Sequence, residues 1–300
     1  MRMRVLGRTG LSVSEVGYGG GQLRGTPRIW NGRPVSDEQA ARILHAVLDA
    51  GINFIDTASV YGHSEAFIGR HISSRRSDFL IATKFGCQLK DMGDWDDTPR
   101  NWSPDFLKAS LDESLRRLRT DRVDLLQLHT PTFDDFTRYD LLRPLEDARS
   151  AGKTRFIGLS VTQPHMDSFA PFFSAFDTVQ LPYSAYELHY EAWVTRAAEQ
   201  GCGTIIRGGV AQGSADQDGA GRMLWERARL DDLLEGETRT GFMLRFTLSQ
   251  PHVGTVIAAT INPDHLRENL AAARGTLSDD VVSEVKRRLN GANAAFGAQQ

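Results

Sequence analysis

The chain has 300 residues, 40% hydrophobic and 24% charged, enough to bury a large core as one barrel-sized domain or two smaller ones. A net charge of −3, a pI near 6.3 and scattered Lys and Arg leave no basic footprint for nucleic acid. Cys87 and Cys202 lie far apart, without a C-x-x-C pair, which excludes a disulfide framework and points to the reducing cytoplasm. The basic N-terminus MRMRVLGRTG is not followed by the apolar run of a signal peptide, and no stretch approaches the roughly 18 apolar residues of a membrane span, so no membrane partner is expected.

In chain order, MRVLGRTGLSVSEV reads as a β-hairpin. Strand-like runs follow at VSEVGYGG (13–20), FIDTA (54–58), FLIATK (79–84), VDLLQLH (123–129), RFIGLS (155–160), TVQLPY (178–183), GTIIRG (203–208) and GTVIAA (254–259), eight in all. Helix-period segments alternate with them. SDEQAARILHAVLDAG is opened by Ser36 with Gln39 three residues on, and closed by Gly51. SPDFLKASLDESLRRLR is opened by Ser103 with Pro104 at the first helical position; LLRPLEDARSAG, EAWVTRAAEQG and TGFMLRFTLSQ complete the set. Strand–helix alternation means parallel strands joined by crossovers, and eight such units predict a single-domain (β/α)8 TIM barrel over residues 1–300, with an N-terminal β-hairpin and a C-terminal helical extension.

A barrel carries its chemistry at the C-terminal ends of its strands. Period-2 alternation puts Asp56 on the face of Phe54, Lys84 on that of Ala82 and Leu80, and His129 on that of Gln127 and Leu125. Each ends one of three successive strands, so the three converge at the barrel mouth, and Tyr61 in the loop after FIDTA reaches the same space. A carboxylate at the end of an apolar run needs a cationic partner or a capping role, and Lys84 is the expected partner of Asp56. A tyrosine, with a reference pKa of about 10, is a poor acid, but an adjacent ammonium favours its phenolate. The expected roles are Tyr61 as proton donor, Lys84 as the charge that tunes it, Asp56 as the anchor of Lys84, and His129 as a hydrogen-bond partner of a substrate oxygen. Such a site protonates a carbonyl oxygen while a hydride reaches its carbon. Taken singly, these residues also read as a cap, a solvated Lys and a structural His; their concurrence favours the functional reading.

FIDTASVYG, ATKFG, VDLLQLHTP, IGLS, TVQLPYS and NPDHLRENL, in this order, resemble the aldo-keto reductases, and the likeness runs from LGRTGLSVSEVGYGG nearly to residue 275. The resemblance implies a (β/α)8 barrel that reduces a small-molecule carbonyl substrate, aldehyde or ketone, with a nicotinamide cofactor, usually NADPH, and a catalytic tetrad of Asp56, Tyr61, Lys84 and His129. It further implies that Ser160 and Gln180 contact the nicotinamide carboxamide, although Val161 stands where an Asn usually follows the Ser. Gly213, Ser214 and Asp216 match a cofactor-covering loop near the pyrophosphate. Arg207 stands where an aromatic ring commonly stacks on the nicotinamide; it stacks in that ring's place or salt-bridges within the barrel. Glu268 and Asn269 match residues that read the adenine edge, and Gly20 lies in a glycine run (19–21) that lets backbone approach the ligand. Where the family grips the 2′-phosphate with Lys and Arg, this sequence has Ala259 and His265, with Thr260 retained. A modest preference for NADPH over NADH follows, with NADH the weaker alternative and Arg222 favoured over Arg267 as a substitute cation.

GYGGGQLRG does not satisfy G-x-G-x-x-G, and the remaining histidines form no metal-ligand pattern, so no metal is expected. Trp95 and Trp102 either wall a substrate pocket or anchor the loop after the third strand. Loops 21–35, 86–103 and 213–237 set the substrate. A regulatory protein that keeps barrel and cofactor, as the family's potassium-channel β subunits do, and a lyase using Lys84 as a Schiff base are the competing functions.

Overall fold

The computed structural model describes residues 1–24, 34–91 and 96–297. Strands β1 (Met3–Val5) and β2 (Ser12–Ser14) pair antiparallel as the expected hairpin. Eight strands then close into an all-parallel barrel: β3 (Val16–Gly19), β4 (Phe54–Asp56), β5 (Leu80–Phe85), β8 (Val123–His129), β9 (Thr154–Ser160), β10 (Thr178–Pro182), β11 (Gly203–Arg207) and β12 (Thr255–Ala258), with β12 joined to β3. A small antiparallel pair, β6 (Lys90–Asp91) and β7 (Asp96–Asp97), lies between β5 and β8. The (β/α)8 barrel read from the alternation is therefore the fold.

The run 13–20 is not one strand. Glu15 divides it: its amide nitrogen bonds Arg2 in the hairpin, while its carbonyl accepts from Val256 in the barrel. Its buried carboxylate is held by Arg2 at 2.8 Å and Arg4 at 3.3 Å. The hairpin plugs the end of the barrel opposite the mouth. Leu6 and Val13 pack with Phe54, Ala82, Leu125 and Ile205, and Arg4 donates to the carbonyls of Leu248 and Val253 at 2.8 and 2.7 Å.

Helices α1 (Asp37–Asp49), α2 (Ser64–His71), α3 (Pro104–Leu118), α4 (Phe133–Arg138), α5 (Leu142–Ser150), α6 (Met166–Phe169), α7 (Glu191–Glu199), α8 (Ala220–Arg227), α9 (Arg239–Ser249), α10 (Pro263–Ala272) and α11 (Asp279–Gly297) surround or extend the barrel. α1 carries the capping box read from its sequence: Gln39 N donates to Ser36 Oγ at 3.2 Å and Ser36 N to Gln39 Oε1 at 3.0 Å. Ala40, Ile43, Leu44, Val47 and Leu48 form its buried stripe. At α3 the cap differs: Ser103 has cap geometry, but its hydroxyl bonds Asn101 Oδ1 at 2.9 Å and no backbone group of α3. α2, α4, α6 and α8 were not legible as helices. Each spans at most 8 residues, too few to establish an apolar period, and α2 buries the polar Glu65, which takes hydrogen bonds from Arg117 at 2.6 Å and Thr83 at 2.6 Å.

Candidate active site

Inside the barrel the side chains are layered. Above the hairpin plug lies an apolar layer of Phe54, Ala82, Leu125 and Ile205. Two residues further along each strand, on the same face, the layer becomes polar. Asp56 and Lys84, each 1% exposed, form an ion pair through Oδ2 and Nζ, and Lys84 also donates to the Thr57 carbonyl at 3.0 Å. Asp56 Oδ1 accepts from Gln127 Nε2 at 3.0 Å and from Gln180 Nε2 at 2.8 Å, and Ser160 Oγ donates to Gln180 Oε1 at 3.1 Å. Register brings these residues together, with Lys84 beside Gln127, His129 beside Ser160, and Ser160 beside Gln180. A buried carboxylate without partners costs several kcal/mol; here every acceptor direction that matters is answered. Gln127 was missed as a site residue because an uncharged amide carries no chemical signature. It shares a face with His129, and only strand register shows that it meets Asp56. Among the described residues its Oε1 has no hydrogen-bond partner, since a carboxylate accepts only and the amide must turn its NH2 toward Asp56.

Tyr61 stands above this layer. It sits in the turn after β4, where its amide nitrogen bonds the Ala58 carbonyl at 3.0 Å and Gly62 takes φ +48 with the Arg24 carbonyl packed where a side chain would begin. Lys84 Nζ lies 5.3 Å from the Tyr61 ring centroid, and the His129 ring meets that ring edge-on at 5.8 Å. The four residues expected to converge do converge. Burial, then the positive charges of Lys84, Arg100 and Arg207, hold the His129 imidazole well below its ordinary 6.5, so it is neutral at physiological pH. The unfolded chain takes up this proton more readily than the folded one, so the His129 contribution to stability is intact above pH 6.5 and is lost as pH falls below it, by at most about 1.4 kcal/mol per pH unit. Melting curves between about pH 7 and about pH 5 should therefore fall less steeply for His129→Gln than for the wild type, and equal slopes would place the titration elsewhere.

Beside the mouth a cleft of about 1210 Å³ runs from Gly208 and Arg24 outward to α1 and α10. Its volume exceeds that of most small-ligand pockets. Gly213, Ser214, Asp216, Thr260, His265, Glu268 and Asn269 all line it. Asp216 accepts from Thr240 Oγ1 at 2.8 Å, and Thr260 Oγ1 faces the Asn262 carbonyl at 3.3 Å. Ser160 and Gln180 lie in the polar layer instead, with the Gln180 amide turned to Asp56. Gly20 is not among the residues that line the cleft, and a Cβ there would lie 2.5 Å from Ser64 Oγ, so packing against α2 by itself favours glycine at this position. Arg207, at the end of β11 next to the cleft, makes no hydrogen bond or ion pair among the described residues, so the salt-bridge alternative for it fails. Its charge acts on Glu187, whose carboxyl burial pushes up. Arg222 is engaged by Asp218 at 3.0 Å and Glu226 at 2.9 Å, outside the cleft lining, and Arg267 pairs with Asp264. Trp102 is buried with its ring against Gly86 and anchors its loop; Trp95 lies outside the described residues. Among the described residues no helix is long and apolar enough to cross a membrane.

The sequence model described as the Aldo/keto reductase family matches residues 15–290. The chain belongs to this family. This aldo/keto reductase is 30% identical over 296 residues to uncharacterized oxidoreductase YqkF of Bacillus subtilis (strain 168), covering 91% of each chain. It is 26% identical over 321 residues to the NADH-specific methylglyoxal reductase of Escherichia coli (strain K12), covering 93% of this chain and 95% of the other. Its fold superposes on the holo form of aldo-keto reductase AKR11C1 from Bacillus halodurans with a TM-score of 0.84 at 26% identity, over 96% of both chains. Aldo/keto reductases are oxidoreductases that act on small-molecule carbonyl compounds with nicotinamide cofactors, and this chain is an oxidoreductase of that kind.

Proposed function

We propose that this aldo/keto reductase is a cytoplasmic enzyme that reduces an aldehyde or ketone to the alcohol, with NADPH preferred over NADH and the proton supplied by Tyr61. The observation that carries the reading is the buried Lys84–Asp56 pair, fixed by Gln127 and Gln180, directly beneath a tyrosine that shares the barrel mouth with a neutral histidine. When bound, the dinucleotide supplies the hydride. Tyr61 gives its hydroxyl proton to the carbonyl oxygen as negative charge develops there. The Lys84 ammonium favours the phenolate left behind, and Asp56 holds that ammonium charged and in place. His129 offers a neutral N–H to the same oxygen and fixes its direction without competing as an acid. The Lys84 amine is engaged by the Asp56 carboxylate and the Thr57 carbonyl, which argues against its use as a Schiff-base nucleophile.

The fit of the chain to a nicotinamide dinucleotide rests on the cleft. Arg207 ends β11 next to Gly208 of the cleft lining, Ser214 and Asp216 line the cleft from the loop that follows, and Asn269 and Glu268 line it from α10. The named activity of the Escherichia coli relative supports NADH as a usable alternative. The two buried free cysteines are consistent with a reducing compartment.

Cofactor titration tests the assignment of Arg207. If its guanidinium stacks on the nicotinamide, Arg207→Ala should weaken NADPH and NADH alike by about 1 kcal/mol or more, read by quenching of Trp fluorescence. An unchanged Kd with a lowered melting temperature would make Arg207 a structural residue. Failure of the wild type to bind either dinucleotide would remove the proposed function itself.

A further inference from the structure

Helices α1 and α10 stand side by side outside the barrel because β12 closes onto β3. Each turns one face to the cleft: Gln39 and Arg42, three residues apart, from α1; His265, Glu268 and Asn269 from α10. Arg42 is exposed, and among the described residues its guanidinium makes no hydrogen bond or ion pair. Glu38, Asp264 and Glu268 are acids of the same two helices. Glu38, one turn earlier on α1, interacts with Arg42 only electrostatically; Asp264 is engaged by Arg267; and Glu268 shares the cleft lining. Arg42 is thus a fixed cation held open at the outer end of the cleft.

We propose that Arg42 distinguishes NADPH from NADH in this enzyme by taking the 2′-phosphate of the adenosine ribose, opposite His265. The inference rests on the function proposed above, in which the nicotinamide lies beside Tyr61. That places the nicotinamide at the inner end of the cleft, where Gly208 and Arg24 adjoin the barrel mouth, and leaves the adenosine end between α1 and α10. The two dinucleotides differ there by one phosphate dianion. A histidine answers that charge only when protonated; a guanidinium answers it at every working pH, through two parallel donors.

The test is direct titration of the full-length protein with NADPH and with NADH, wild type against Arg42→Ala and Arg42→Glu, with Arg42→Lys as the charge-preserving control. Arg42→Ala should raise the NADPH Kd about tenfold or more and Arg42→Glu further, while the NADH Kd stays within about twofold and Arg42→Lys recovers most of the NADPH affinity. Because Arg42 is exposed, melting temperatures should be unchanged. Equal weakening of both dinucleotides, or no change in NADPH binding, would overturn the assignment while leaving the proposed function standing. A wild type that binds neither dinucleotide would instead overturn the proposed function, and this inference with it.

Discussion

Tyr61→Phe should lower kcat for aldehyde reduction by about two orders of magnitude or more, with little change in the Kd for NADPH or in melting temperature. The substitution removes one hydroxyl and keeps the ring, so the edge contact with His129 and the packing above Lys84 remain. Tyr61 is only half-buried, and the lost oxygen leaves no buried cavity. On the proposed mechanism, what disappears is the proton given to the carbonyl oxygen. Replacement from water is slow in a site built to hold the donor in place, and neutral His129 is a far weaker acid than its imidazolium. Turnover near the wild-type rate would mean that another group donates, and the first to test would then be His129.

Lys84→Met should have an effect as large on kcat and a second effect on stability. It deletes the ammonium to which the proposed mechanism gives the tuning of Tyr61, and it strands the Asp56 carboxylate at 1% exposure with only the Gln127 and Gln180 amides as donors. Removing one partner of a buried ion pair costs on the order of 3–5 kcal/mol, which in a chain of this size lowers the melting temperature by several degrees. The double variant Asp56→Asn with Lys84→Met separates the two effects. It should regain part of the stability, because no buried charge is left alone, yet none of the activity. A double variant that recovered turnover as well as stability would show that the pair is scaffolding and that Tyr61 acts without it.

The sequence made the barrel and the convergence of Asp56, Lys84, His129 and Tyr61 legible for the same physical reason: strands alternate faces with a period of two, and parallel strands align their C-terminal ends. Residues whose role depends on register or on packing were harder to read. Gln127 carries no charge to draw notice, and its meeting with Asp56 is fixed only by the β5–β8 pairing. The close approach of Ser64 Oγ to Gly20 was equally hidden, because it comes from α2, a helix too short to show a period. The pairing of Arg222 was legible, since Asp218 and Glu226 flank it at four residues on either side. Arg42 could not have been found that way. It shares a cleft lining with His265 only because the last barrel strand closes onto the first.

The most direct measurement is a single-turnover reaction in which the protein, loaded with one equivalent of NADPH, is mixed with an aldehyde panel while nicotinamide oxidation and alcohol formation are followed together. One alcohol should form for each NADPH oxidised, rapidly in the wild type and about a hundredfold or more slowly in Tyr61→Phe. Tight binding of NADPH with no alcohol formed from any aldehyde or ketone, or equal rates in the two proteins, would contradict carbonyl reduction with Tyr61 as its proton donor.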